Sequence, residues 1–164
     1  MKIRSINISH RIDTPERAFE LHEIAAFEEA LEGGQFRSGL ARIAGTDYLP
    51  PAPEELPELF SEMVSVEIKD IYDYAIHLFL TMARCQFFYD VNKRMGRFMM
   101  NGVLLAAGYP AINLPAKRQA EFNQKMLIFY ESRDQSEMNL FMRDCLDPII
   151  IKAMKQAAAP RMRP

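Results

Sequence analysis

The sequence predicts a mostly α-helical single domain with one small β-hairpin, and three observations carry that prediction. Apolar residues recur at helical spacing through most of the chain, most clearly over 68–86 and 92–108. Strong stop signals, Gly33-Gly34 and Gly108 followed by Tyr109-Pro110, separate the periodic stretches. The β-prone segment, Gln35 to Thr46, is short and punctuated by Gly39 and Gly45. A chain of 164 residues, 49% hydrophobic and 26% charged, can bury one core without disulfide or metal staples.

Residues 14–32 read as the first helix. Thr14 is placed to cap it, Pro15 suits its first position, and Gly33 and Gly34 end it. The pieces Arg37 to Leu40 and Arg42 to Ala44 suggest a hairpin. Tyr48 to Pro53 is extended, because prolines and the residues before them avoid helix. Glu54 to Glu67 is expected to be helical.

In the helix from Ile68, residues Ile71, Tyr72, Ala75, Leu78, Phe79, Met82 and Ala83 share one face. Asp70, Asp73, His77 and Arg84 lie opposite, which makes His77 a surface histidine. Gln86 returns to the buried face, either satisfied there by backbone or aimed into a site at the helix end. The next helix runs from Asn92 to Gly108, with Arg94, Arg97 and Asn101 as a polar stripe. Beside that stripe lies an apolar one of Met95, Phe98, Met99, Gly102, Leu105 and Ala106. Further helices are expected over 116–131 and 134–157, the last interrupted at Pro148.

The net charge of −2 does not ask for nucleic acid, so no such partner is expected. No apolar run approaches the length of a membrane span. Two isolated cysteines, Cys85 and Cys145, argue for a reducing, cytoplasmic setting, although delivery to another cell stays open. No cluster has metal-ligand spacing, and there is no Gly-rich phosphate loop of the Walker type.

The chemistry concentrates in residues 86–97, QFFYDVNKRMGR. Asp90, Asn92, Lys93, Arg94 and Arg97 gather at the start of a helix. That place already favours anions, because its first N–H groups lack intrahelical partners and the helix dipole is positive there. Guanidiniums grip phosphate bidentately and a carboxylate can hold Mg²⁺, so these are the parts of a nucleotide-polyphosphate site. A rival use for Asp90 is simple helix capping.

At these residues the chain resembles the Fic/Doc (fido) family, whose signature reads His-Pro-Phe-x-Asp/Glu-Gly-Asn-Gly-Arg-x-x-Arg. Phe88, Asp90, Asn92, Arg94 and Arg97 match. Gln86 stands at the histidine, Phe87 at the proline, and Val91 and Lys93 replace the two glycines, with Asn-Lys-Arg as in the Doc branch. Gly34 to Arg37, Ile43, Gly45 and the prolines at 50, 51 and 53 resemble the family's flap and the segment after it. Met100-Asn101, Gly108 and Pro110 resemble the helix after the signature.

The resemblance is strongest over 30–131, within one domain expected to span 1–164. It is flanked by an N-terminal helical segment, 1–29, and a C-terminal helical segment and tail, 132–164. It implies a fido-type helical bundle with a hairpin flap. It also implies transfer of AMP, or another phosphate-containing group, from ATP or another nucleotide donor with Mg²⁺ to a protein hydroxyl. By that resemblance Asp90 holds the metal, Asn92 and Arg94 the α- and β-phosphates, and Arg97 the terminal phosphate, with Lys93 adding a contact. The target protein would dock along the flap near Arg37 to Ala44.

Gln86 is a neutral amide at the general-base position, and loss of a base lowers rates by roughly 10²–10⁴. Two readings follow: a transferase with an atypical or missing base, or a catalytically inactive pseudoenzyme that senses a nucleotide or binds a protein.

Overall fold

The structure, a computed structural model, describes residues 13–26 and 33–158. Its helices are α1 (Pro15–Ala25), α2 (Leu56–Ser65), α3 (Ile71–Cys85), α4 (Asn92–Ala106), α5 (Gln119–Ser132), α6 (Ser136–Asp144) and α7 (Pro148–Ala158). Short 3₁₀ turns, Pro53–Glu55 and Ala116–Arg118, lead into α2 and α5. The fold is therefore the helical bundle expected. The Thr14 hydroxyl accepts the Arg17 N–H and Pro15 opens α1, as the sequence indicated. The predicted continuation of that helix through 27–32 lies outside the described residues. The expected break at Pro148 falls just before it, because a proline is tolerated at the first position of a helix.

The antiparallel pair α3–α4 forms the centre of the core. Gly96 permits its close approach. A Cβ there would stand 3.0 Å from the Phe79 carbonyl oxygen and 3.2 Å from the Met82 Cβ. Met82, Met95, Met99, Met100 and Leu104 are buried in this core, Phe122 of α5 packs on Phe79 with ring centroids 6.0 Å apart, and Phe60 of α2 packs on Phe87 in the loop after α3. The buried face of α4 is thus turned from the predicted stripe. Gly96, Met100, Val103 and Leu104 are inside, while Phe98 and Leu105 are 45% and 58% exposed. Periodicity locates a stripe, but the neighbour that needs Gly96 decides its centre.

The expected hairpin does not form: residues 33–52 contain no strand. Residues 40–44 make no backbone–backbone hydrogen bond among the described residues. The segment is anchored instead from Arg37, whose N–H donates to the Phe87 carbonyl at 3.0 Å. Thr46 and the Asp47 N–H engage Glu131 on α5. With the turn fixed at both ends by other elements, two short β-prone pieces have no need of each other.

Arg143 on α6 ties the far end of α3. Its guanidinium donates to Asp70 at 2.6 Å and to Asp73 at 2.5 Å, and it packs 5.3 Å from the Tyr72 ring centroid. Partial burial pushes the Asp70 carboxyl up. The Asp73 and Tyr72 N–H groups and the Arg143 guanidinium outweigh that, so it titrates below the ordinary aspartate value.

Two outcomes are expected. Gly96→Ala forces the α3–α4 seam apart and costs about 1–3 kcal/mol by urea denaturation. Arg143→Ala costs about 1 kcal/mol at neutral pH, since the pairs are partly exposed. The Asp70 contribution is present above its unfolded pKa near 4 and is lost as pH falls through the lowered folded value. The acid-side slope of stability below about pH 4 is therefore shallower in Arg143→Ala, as equilibrium unfolding at graded pH would record.

Candidate nucleotide-phosphate site

The loop from Gln86 to Val91 begins and ends on left-handed residues. Gln86 (φ 50°) caps α3, donating its N–H to the Met82 carbonyl at 3.2 Å, and Val91 (φ 53°) launches α4. A non-glycine residue pays about 1–2 kcal/mol in this region, and a β-branched one is rarely found there. The two glycines of the resembling signature therefore differ in kind. Val91 occupies a position where glycine would be unstrained, whereas Lys93 sits within the first turn of α4, whose helical backbone a lysine adopts without conformational strain.

Asn92 holds this loop in place. Buried, it accepts the Phe88 N–H at 3.0 Å and donates to the Phe88 carbonyl at 2.7 Å and to Gln86 Oε1 at 3.1 Å. Gln86 Nε2 in turn donates to the Ala83 carbonyl at 2.6 Å. The Gln86 amide is thus satisfied at both ends, by the last turn of α3 and by the first residue of α4. Of the two sequence readings for Gln86, the geometry is that of the hydrogen-bonded amide.

Arg37 fixes the loop from the other side. Its side chain is 2% exposed and its hydrogen bonds go to backbone carbonyls. Nε donates to the Gln86 carbonyl at 2.6 Å, Nη1 to the Gly39 carbonyl at 2.6 Å, and Nη2 to the Pro51 carbonyl at 2.5 Å and the Cys85 carbonyl at 3.4 Å. A cation at the C-terminus of α3 is favoured by the dipole, and the carbonyls there lack intrahelical donors. Sequence reasoning placed Arg37 on a flap. Burial of a lone arginine against carbonyls has no periodic signature.

The groups left for a ligand stand at the start of α4. Its first N–H groups are not capped by any side chain, so the capping alternative for Asp90 is not adopted. The Asp90 carboxylate is half-buried and makes no hydrogen bond or ion pair among the described residues. Lys93 and Arg97 are exposed, with the Arg97 guanidinium 5.7 Å from the Phe122 ring centroid. Arg94 leans away: its Nη1 donates to the Ala25 carbonyl at 2.7 Å, at the C-terminal end of α1. Asp90, Lys93 and Arg97 are thereby gathered around an anion-favouring helix start, while Asn92 and Gln86 serve the loop and Arg94 braces α1. A carboxylate without a protein partner suits Mg²⁺, and exposed cations beside free helix N–H groups suit phosphate.

His22 is a neighbour the sequence did not place. Its ring stacks on Phe88 with centroids 3.9 Å apart and is fully buried, and Nδ1 accepts the Gly34 N–H at 3.4 Å. Nε2, which then carries the proton of the neutral ring, lies toward the Asp90 backbone carbonyl without making a well-aligned hydrogen bond to it. Burial lowers its pKa, partly offset by the nearby Asp90 carbonyl and carboxylate. Ala18 and His22 form the buried edge of α1, an i, i+4 pair that was visible in the sequence. His77 is not the surface residue expected: it is half-buried, with Nδ1 3.3 Å from Gln135 Nε2. Burial pushes the Cys85 thiol up to about 11, so it is no nucleophile at neutral pH.

The chain is similar to known proteins in sequence and in fold. The profile of the Fic/DOC family matches residues 12–104. Among curated proteins, Protein adenylyltransferase Fic of Drosophila melanogaster is 26% identical over 155 residues, covering 90% of this chain and 31% of that protein. Its counterpart from Drosophila willistoni is 27% identical over 135 residues, covering 78% and 26%. Among solved structures, a Fic family protein from Desulfovibrio desulfuricans G20 superposes with a TM-score of 0.71 at 18% identity, covering 90% of this chain and 47% of that one. Fic-1 from C. elegans gives 0.67 at 18% identity, covering 94% and 47%. The chain spans about a third of the length of these curated relatives and under half of the solved chains.

Removing the Arg37 guanidinium strands several buried carbonyls, each worth about 1–3 kcal/mol. Arg37→Met is expected to lose about 3 kcal/mol or more in chemical denaturation, and Arg37→Lys to recover part of that loss.

Proposed function

The chain belongs to the Fic/DOC family, and on that footing we propose that it binds a nucleoside triphosphate with Mg²⁺ and transfers AMP to a protein hydroxyl, releasing pyrophosphate and the hydroxyl proton, slowly for want of a base. The observation that carries this reading is the division of labour in the loop. Asp90, Lys93 and Arg97 are without a hydrogen bond or ion pair among the described residues beside an uncapped helix start, while the residue at the base position is an amide bonded at both ends. The curated relatives are named protein adenylyltransferases, which supports AMP as the transferred group and ATP as its donor.

Asp90 would hold Mg²⁺, which supplies charge neutralisation of the phosphates when bound. Lys93, Arg97 and the first N–H groups of α4 would hold phosphate oxygens. Arg94 would join them only by leaving the Ala25 carbonyl. Asn92 acts by keeping the loop in shape. Among the described residues, neither His22 nor Cys85 offers a substitute base. His22 is sealed behind Phe88, and the Cys85 thiol stays protonated at neutral pH.

The target would lie along residues 37–44, of which 40–44 make no backbone–backbone hydrogen bond among the described residues, and would pair there edge-on as an extended peptide. No helix among the described residues is long and apolar enough to cross a membrane. The unpaired thiols of Cys85 and Cys145 support a reducing, cytoplasmic setting.

The full bonding of Gln86 favours a second reading, in which nucleotide binding persists and transfer is absent. Calorimetric titration of Mg-ATP, followed by transfer of labelled AMP in a lysate, separates the two. Saturable binding that falls at least tenfold in Arg97→Ala is expected. Gln86→His is expected to raise transfer by roughly 10²–10⁴. Binding without transfer, even in Gln86→His, would leave the sensor reading; absence of binding would sink both.

A further inference from the structure

A cavity of about 350 Å³ lies away from the motif loop, between α2, α3 and the turn that joins α5 to α6. Its volume falls in the range of small-molecule sites. Leu59 and Met63 of α2, Val66 just beyond its end and Phe129 of α5 make an apolar wall. Thr81 and Arg84, along the polar stripe of α3, make the facing one, and Arg133 and Gln135 close the end. Neither Asp90, Lys93 nor Arg97 contributes to it.

The polar end is cationic and partly preorganised. Arg84 stacks on the Tyr48 ring, 3.9 Å from its centroid, and donates Nε to the Tyr130 carbonyl at 3.2 Å, which fixes the guanidinium plane. Its two terminal nitrogens make no hydrogen bond among the described residues. Arg133 is held on its left-handed backbone at the C-terminus of α5, and its guanidinium makes none either. Both arginines lie near enough to Cys85 and Tyr48 to oppose the upward push of burial on those two groups. Glu55 and Glu62 line the cavity but are exposed at its α2 rim, and Glu55 is bonded to the Ala52 N–H. His77 in the α3 wall is kept neutral by burial, with Nδ1 facing Gln135. Two guanidiniums at one end and an apolar wall along the length match one kind of ligand.

We infer that this cavity binds a small organic anion, a carboxylate carried on an apolar body, with its head between Arg84 and Arg133 and its tail along Leu59, Met63 and Phe129. The head would take charge-assisted hydrogen bonds from the free guanidinium nitrogens, and the tail would displace water from the apolar wall. The site is independent of the nucleotide reading, because it shares no ligand-facing residue with the motif loop.

Octanoate serves as the probe. Titrated into protein labelled with ¹³C at the methionine methyl groups, it is expected to shift the Met63 resonance saturably, with Met63→Leu assigning that signal. Arg133→Gln, a change at an exposed residue that leaves the core untouched, should weaken binding about tenfold or more. Arg97→Ala should leave the titration unchanged, and octanol should bind at least tenfold more weakly than octanoate. A Met63 signal unmoved up to the solubility limit of octanoate would overturn the inference. So would equal affinity for octanol, indifference to Arg133→Gln, or loss of the shift in Arg97→Ala.

Discussion

The buried guanidinium of Arg37 is the constraint on which the rest of the site depends. A helix end leaves carbonyls without donors, and here α3 ends inside the protein, where water cannot supply them. Arg37 answers with a fork of donors that reaches Cys85 and Gln86 on one side and Gly39 and Pro51 on the other. The same contacts that satisfy α3 therefore hold the 33–52 segment against the motif loop. This explains why that segment keeps its place without forming a hairpin. Its order is borrowed from a helix terminus, and among the described residues its stretch 40–44 makes no backbone–backbone hydrogen bond of its own.

Within the loop, two residues at the heart of the motif are used for shape. Asn92 and Gln86 bond to each other and to the backbone on either side, and this network is what can hold Val91 in a conformation a β-branched residue resists. The geometry separates functions that a motif string merges. One set of side chains builds the turn, and another, Asp90, Lys93 and Arg97, is left at its rim. Arg94 is on the border between them, since the carbonyl it holds belongs to α1 and brings the N-terminal helix, with His22, up to the loop.

Charge is placed differently in the two cationic regions of the molecule. At the start of α4 the cations are exposed and sit against the helix dipole, an arrangement that is unfavourable unless an anion is present. At the α2–α3 cavity one arginine is stacked and bonded while the other caps a helix C-terminus, where the dipole favours it. The first is poised by its cost; the second is stable as it stands and still leaves donors pointing at an apolar wall.

Much of the fold was legible in the chain because its signals are local. Thr14 and Pro15 start α1, Gly108 and Pro110 stop the helix before them, and the helical spacing of apolar residues from Ile71 to Ala83 marks α3. The motif residues were legible for the same reason, since a helix start and its charges lie within one stretch of sequence. What the sequence could not determine were contacts between distant segments. Whether Phe98 or Met100 faces the core depends on where Gly96 meets Phe79. Whether 35–46 becomes a hairpin depends on Arg37 and Glu131 elsewhere. His22, Arg37 and Arg94 acquired their roles only from tertiary structure, because a polar side chain finds its partner by position in space, and spacing along the chain carries no record of a carbonyl tens of residues away.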